Sequence, residues 1–200
     1  MALRLGMRFD GFDPFGETIN VAQEAVAAGA RVVLISGPVN LQIPAGVTLL
    51  DVVTAQEMLD ATLANVIDAD VFIGVAAVVD YRPQRVATDK IKKSSDIMQL
   101  KLVKNPDIIN AVADLEKRPL VVGFAAETSN IAENGREKLL KKKLDLLFAN
   151  NAIDSFNSDS ISVTAISTDT ESELPAGNKH VVARNMLQLI ADRLMNNEKS

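Results

Sequence analysis

Cations crowd one short stretch of a chain whose formal net charge is −5: Arg82, Arg85, Lys90, Lys92, Lys93, Lys101 and Lys104 lie within it. The densest part is Asp89-Lys90-Ile91-Lys92-Lys93. Lysine is a compact point charge, suited to a triphosphate and to negative charge that develops on phosphorus or a carbonyl oxygen during group transfer. The same residues also fit a solvated, charged edge strand that guards against sheet aggregation. Lys138 and Lys142 are four residues apart on a predicted helix and share a face, so together they could grip a phosphate chain. Lysines near a helix C-terminus also complement its dipole, and Lys141 and Lys143 show that part of this run is surface decoration.

Small residues mark a second place of interest. Gly74-Val75-Ala76-Ala77-Val78-Val79-Asp80 closes an apolar run read as a central strand, and open α/β sheets bind ligands in the crevice beyond the strand ends. Small side chains let a ligand approach the backbone; Gly74, Ala76 and Ala77 would equally serve packing against crossover helices. A carboxylate at Asp80 can accept hydrogen bonds from ribose hydroxyls or simply form a turn. Asn105-Pro106-Asp107-Ile108 reads as a helix start, with Asn as cap and Pro at the first position, which either offers backbone N–H groups to an anion or only caps. Gly123-Phe124-Ala125-Ala126-Glu127-Thr128 repeats the strand-end theme, with Phe124 either exposed to a ligand or part of the core. His180 stands alone and is read as a surface residue. No metal-ligand spacing and no Ser-His-Asp arrangement is found.

These residues need elements to position them. Helical spacing from Asn20 to about Gly29 is followed by the strand Arg31–Ile35, then by a strand over Val47–Val53. Thr54 and Glu57 have capping-box spacing and open a helix to about Ile67. Val71–Val78 is an apolar run of the kind buried on both faces of a parallel sheet. The stretch from Asp80 to Lys104 predicts a basic hairpin or flap. Further strands are predicted over Leu120–Ala126, Leu144–Phe148 and Ile161–Ser167. Helices are predicted from Asn130, with Glu133 at capping-box spacing, through about Lys142, and over Ala183–Leu194. Asn150–Ser160 reads as a loop and Thr168–Asn178 as an exposed connection. Alternating strands and helices imply a doubly wound, mainly parallel α/β sheet in one domain over residues 1–200.

Composition narrows the function classes. Of 200 residues, 48% are hydrophobic and 24% charged, enough for a buried core. With no cysteine there is no disulfide, thiolate metal site or thiol nucleophile. The opening stretch lacks a basic segment followed by an apolar one, and no stretch approaches the roughly 18 apolar residues that span a bilayer. A soluble cytoplasmic protein is expected, with no membrane partner. The acidic balance argues against broad nucleic-acid binding, which needs phosphate-neutralising Lys and Arg over a surface.

The order of the motifs is more specific than any one of them. AAVVDYRP is followed by DKIKK, with Lys90 ten residues after Asp80, then by LVKNPDI, VVGFAAET, EKLLKKKLDLLFAN and FNSD. From about Ala22 onward this resembles phosphopantothenate–cysteine ligase, the C-terminal half of the bifunctional coenzyme A biosynthesis protein of bacteria. The resemblance implies a Rossmann-like sheet flanked by helices with a protruding β-hairpin flap. It also implies CTP-dependent ligation of cysteine to 4′-phosphopantothenate through an acyl-cytidylate. By resemblance Gly74, Val75 and Ala76 line the base, Ala77 faces the substrate, Asp80 holds the ribose, and Lys90 contacts the phosphates and assists acyl transfer. Asn105, Pro106, Asp107, Ile108, Phe124, Lys138 and Lys142 complete the CTP site. Magnesium accompanies the nucleotide, the flap contributes across a homodimer interface, and a decarboxylase domain is fused or separate.

The front of the chain departs from the family pattern. Residues 1–19 stand where the family has a strand, a Gly-rich loop and a polar segment with a catalytic Asn, so the opening strand and an anion-binding loop are expected to be missing. Residues 11–20 look instead like the opening loop of pyroglutamyl peptidases, an activity that the lack of cysteine excludes. The competing reading is a truncated, recombined or engineered nucleotide-binding scaffold without turnover. A nicotinamide-binding domain is disfavoured because no Gly-x-Gly-x-x-Gly follows the first strand.

Overall fold

The structure, a computed structural model, describes residues 4–9, 17–39, 42–75, 78–87, 89–92, 97–127, 130–151 and 160–197. In chain order the elements are β1 (Arg4–Phe9), α1 (Glu17–Ala27), β2 (Arg31–Ser36), β3 (Val47–Asp51), α2 (Ala55–Val66) and β4 (Val71–Gly74). The short strands β5 (Tyr81–Pro83) and β6 (Leu102–Lys104) come next, then α3 (Ile108–Ala113), β7 (Leu120–Glu127), α4 (Ile131–Lys141) and β8 (Leu146–Asn151). β9 (Ser160–Ile166), β10 (Glu171–Asn178) and α5 (Lys179–Asn197) complete the described chain.

Eight strands form one sheet in the order β10-β9-β8-β7-β4-β1-β2-β3. The six from β3 to β8 are parallel, and β9 and β10 add antiparallel pairings at one edge. Alternation along the central strands sends side chains to two cores. Val71, Ile73, Val122, Leu146 and Phe148 pack with Ala22 and Ala25 of α1 and Met186 and Ile190 of α5. Phe72, Val121, Leu147 and Ala149 pack on the other face with Val66 of α2, Val112 of α3 and Leu139 of α4. The doubly wound, mainly parallel α/β arrangement expected from the sequence is therefore the one observed. No helix among the described residues is long and apolar enough to cross a membrane.

Local signals account for several boundaries. The Thr54 hydroxyl accepts the Glu57 N–H at 3.1 Å, and the Glu57 carboxylate accepts the N–H groups of Val53 and Thr54 at 2.7 and 2.9 Å, a complete capping box. Those two backbone donors hold the Glu57 carboxyl below its ordinary range. Gly29, at φ +85, takes the left-handed conformation that ends α1.

Four expectations are corrected. The opening strand is present: Arg4–Phe9 forms β1 between β2 and β4, with Leu5 paired to both Val32 and Val71. Residues 171–178 form strand β10 rather than a loose connection, with an irregularity between Leu174 and Gly177. Asp107, not Asn105, caps α3, because its carboxylate reaches the Asn110 N–H at 3.2 Å. Asn130, at φ 49, lies in the left-handed region and makes no side-chain cap bond, so the Asn130/Glu133 spacing is not a capping box. The segments 10–16, which hold most of the unusual opening loop, and 152–159, which hold FNSD, lie outside the described residues.

Candidate functional site

Strands β1, β2 and β3 run outward from the middle of the sheet in one direction and β4, β7 and β8 in the other. Strand order therefore reverses between β1 and β4, where an open α/β sheet leaves a crevice at the carboxyl ends. Gly74 closes β4 at this point, opposite Arg8 of β1 and Gly123 of β7. A Cβ on Gly74 would lie 3.0 Å from the Ile109 side chain. The missing side chain thus lets α3 sit close over the strand end, which supports the packing reading of this glycine. Val75 follows, half-buried against the core. Ala76 and Ala77 lie outside the described residues.

From the strand end the chain reaches Asp80 and enters the flap, whose root is tied by side chains. Asn105 donates its backbone N–H to the Asp80 carbonyl and its Nδ2 to the Val79 carbonyl, both at 2.8 Å. Arg82 Nη1 donates to the Lys104 carbonyl at 2.8 Å and to Asn105 Oδ1 at 3.0 Å. Asn105 is therefore committed to holding the two ends of the flap together, which is why it does not cap α3. The Asp80 carboxylate is left exposed beside this knot. Above it, β5 and β6 pair antiparallel, and every described residue from Tyr81 to Lys92, Lys90 included, is exposed.

Beyond the flap, Pro106 and Asp107 lead into α3, whose Ile108 is buried beside Ile35 and Met58. The Asp107 carboxylate caps this helix start, which supports the capping reading of the segment. Its Oδ2 accepts from Asn110 Nδ2 at 3.0 Å and from the Lys142 ammonium. One turn back on α4, Lys138 Nζ donates to the Phe124 carbonyl at 3.2 Å. Burial lowers the Lys138 ammonium below the ordinary lysine range; the nearby Glu127 carboxylate opposes this, and Lys142 adds to it. Phe124 itself is a packing residue, with its ring 5.5 Å from that of Phe148.

Contacts thus tie Asp80 to Asn105 and, two residues further along the chain, Asp107 to Lys142 at the end of α4, while Lys138 on that helix reaches Phe124. Lys90 stands apart on the exposed flap. Two residues were passed over in the sequence. Arg82 reads there as one more flap charge, and Glu127 as the end of an apolar strand; only their position at the flap root and strand end gives them a place. Asn110 had one signal, its three-residue spacing from Asp107. His180 is half-exposed, with Nδ1 3.4 Å from Glu24 Oε1, away from these contacts. Among the described residues no group of three or more His, Cys, Asp or Glu side chains could hold a metal ion.

Comparison with known proteins places the chain in a lineage. Residues 16–194 match the family model of the DNA/pantothenate metabolism flavoprotein C-terminal domain. The chain is 46% identical over 176 residues to the coenzyme A biosynthesis bifunctional protein CoaBC of Vibrio vulnificus (strain CMCP6), covering 85% of this chain. Its identity to the protein of the same name from Escherichia coli (strain K12) is 44% over 180 residues, covering 86%. It spans 44% of the length of each. A solved structure of the C-terminal domain of a CoaBC protein superposes with a TM-score of 0.79 at 31% identity, covering 99% of this chain and 97% of that one. The DNA/pantothenate metabolism flavoprotein from Streptococcus pneumoniae shares the fold, with a TM-score of 0.81 at 18% identity over 96% of this chain and 100% of that one. On the strength of the family match and these relatives, the chain belongs to the DNA/pantothenate metabolism flavoprotein C-terminal domain family.

Proposed function

We propose that this chain joins cysteine to 4′-phosphopantothenate at the expense of CTP, as one step of coenzyme A biosynthesis. The observation that carries the reading is the set of contacts just described. Asp80 and Asn105 meet just beyond the carboxyl end of β4, beside the point where strand order reverses, while Asp107 pairs with Lys142 and Lys138 reaches the Phe124 carbonyl of β7, in a member of a family whose relatives are named for coenzyme A biosynthesis.

In this reading the backbone after Gly74 receives the cytosine, the exposed Asp80 carboxylate accepts from the ribose hydroxyls, and Lys138 and Lys142 hold the phosphates. The phosphopantothenate carboxylate attacks the α-phosphorus, forming the acyl-cytidylate and releasing pyrophosphate. The cysteine amine then attacks the acyl carbon, and CMP leaves. Lys90 is exposed on the flap, so it can swing to the phosphates and to the negative charge that develops in acyl transfer. Magnesium fits as a companion of the nucleotide. The described residues offer no all-protein cage, and this ion is commonly held by substrate phosphates with one or two carboxylates. The chain acts as a homodimer, with the flap of one copy against the other: Val86 is 83% exposed and Ile97 77%, and Ile91, Met98, Leu100 and Leu102 are each more than half exposed.

Calorimetry with CTP, ATP and GTP, paired with pyrophosphate release, tests the assignment. CTP is expected to bind tightest, because unpaired polar groups penalise the wrong base. Pyrophosphate release should require both CTP and phosphopantothenate. Lys90→Ala should lower kcat by more than it raises KM. Equal affinity for the three nucleotides would reject the base pocket, and CTP binding without pyrophosphate release would reduce the chain to a nucleotide-binding scaffold.

A further inference from the structure

Lys138 of α4 and Lys142, which caps that helix, are held differently. Lys138 Nζ rests on a neutral backbone carbonyl, that of Phe124, whereas Lys142 is ion-paired with Asp107. A phosphate that recruits Lys138 replaces one neutral hydrogen bond, with the Glu127 carboxylate nearby but not bonded to the ammonium among the described contacts. A phosphate that recruits Lys142 has to compete with a carboxylate fixed in place by the fold.

The surroundings of Asp107 suit it to give up that lysine. Its Oδ1 also accepts the Asn110 N–H at 3.2 Å and its Oδ2 the Asn110 Nδ2 at 3.0 Å. Two donors therefore remain when Lys142 departs, so release leaves no orphaned charge. The Lys142 side chain is 27% exposed and that of Asp107 41%, so the pair lies where solvent screens it and modest competition can break it. Asn110, for its part, has its Nδ2 on Asp107 and its Oδ1 buried without a partner, which commits its amide to the carboxylate.

From this geometry we infer that Asp107 is a tethered competitor for the phosphate-binding lysine. It holds Lys142 in place in the ligand-free site and lowers the affinity of that site for polyphosphate. This deepens the proposed function and rests on it for the identity of the ligand. The role is one of positioning and tuning: Asp107 acts through Lys142.

The experiment uses the full chain, inorganic tripolyphosphate and CTP as probes, and calorimetry at low ionic strength. Asp107→Asn keeps an oxygen able to cap α3 and removes the charge. It should bind tripolyphosphate about two- to fivefold more tightly than the wild type, the size expected for a partly exposed ion pair. The gain should shrink as salt is added and vanish when Lys142→Met is present in both members of the comparison. A purely structural role for Asp107 would instead weaken binding. Asp107→Ser, a second neutral cap, replaces the Asn variant if that one does not fold. Unchanged or weaker binding in a variant that melts like the wild type would overturn the inference, as would a gain that survives Lys142→Met. Tripolyphosphate binding with the expected gain but no preference for CTP would leave Asp107 as assigned and reject the cytidine reading. Selective CTP binding and turnover with no gain in Asp107→Asn would do the reverse. Failure of both probes to bind the wild type would reject both.

Discussion

Phe148 and Leu100 are both large apolar residues, yet the first is 1% exposed and the second 62%. Phe148 belongs to the main sheet, where β4, β7 and β8 are covered on both faces by helices of the same chain. Leu100 belongs to the flap, which is tied to the rest of the chain by Asn105 and Arg82 at its root, and whose described large apolar side chains, Val103 apart, are exposed. The main sheet is stabilised by burial within one chain. The flap carries the apolar content of a core without a core to join within one copy, and in the proposed homodimer the second copy would cover it.

The largest test of this contrast is a pair of truncations measured by urea unfolding at high dilution. Phe148→Ala should cost about 3–5 kcal/mol, through lost transfer energy and the cavity left behind. Leu100→Ala should stay within about 0.5 kcal/mol of the wild type. Comparable losses would show that the flap is as much a part of the intramolecular core as β8. A second measurement asks what the flap is for. Light scattering at micromolar concentration should give a dimer for the intact chain and a monomer when Ile97, Met98 and Leu100 are all changed to Ser, with the main sheet's circular dichroism retained. A dimer that survives the triple change would place the interface elsewhere.

The smallest expected effect lies at the opposite extreme of the sheet. Between β9 and β10, Asp169 accepts from Arg193 Nη2 at 3.0 Å and from the Ser167 hydroxyl at 2.9 Å, and its carboxyl is lowered to about 2, chiefly by the Arg193 hydrogen bond. A carboxyl depressed on folding contributes stability that is present above its unfolded value and lost as pH falls through its folded one. The window is therefore from about pH 4 down to about pH 2. Asp169→Asn should remove a small part of the acid-dependent loss in that window, measured by thermal midpoints against pH. Superimposable acid limbs for the two proteins would show that the contact is fully screened. The main sheet would then be fastened at this corner without help from the carboxylate's charge, which would sharpen the contrast with the flap's polar root.

Much of this contrast was legible in the residue pattern. The apolar run Val71–Val78 announced a strand buried on both faces, which ends earlier, at Gly74, Leu120–Ala126 announced a further strand, and the charges between Asp80 and Lys104 announced a hairpin or flap. β1 was hidden because Arg4 and Arg8 break the apolar run that a central strand usually shows. β10 was hidden because Pro175 and Gly177 read as turn residues; Pro is tolerated at a sheet edge, and the pairing shifts between Leu174 and Gly177. At the candidate site, residue types were legible and partners were not. Asn105-Pro106-Asp107 offers two cap residues, and the choice fell to Asp107 because Asn105 is claimed by Val79 and Asp80, which lie far back in the chain. Likewise no local rule pairs Lys142 with Asp107, 35 positions earlier.

The central place of β1 bears on how the molecule assembles. β2 and β3 pair with each other, and β4, β7 and β8 form a second group, but the two groups touch through β1 alone in the strand order. The segment Arg4–Phe9 therefore acts as the joint of the sheet: until it docks, β2 and β4 each present an unpaired parallel edge. Such edges are templates for pairing with another chain. Pairing of β1 with β4 bridges a long stretch of sequence, and closing so distant a contact is slow. A molecule in which this short strand were undocked would expose both edges to such pairing.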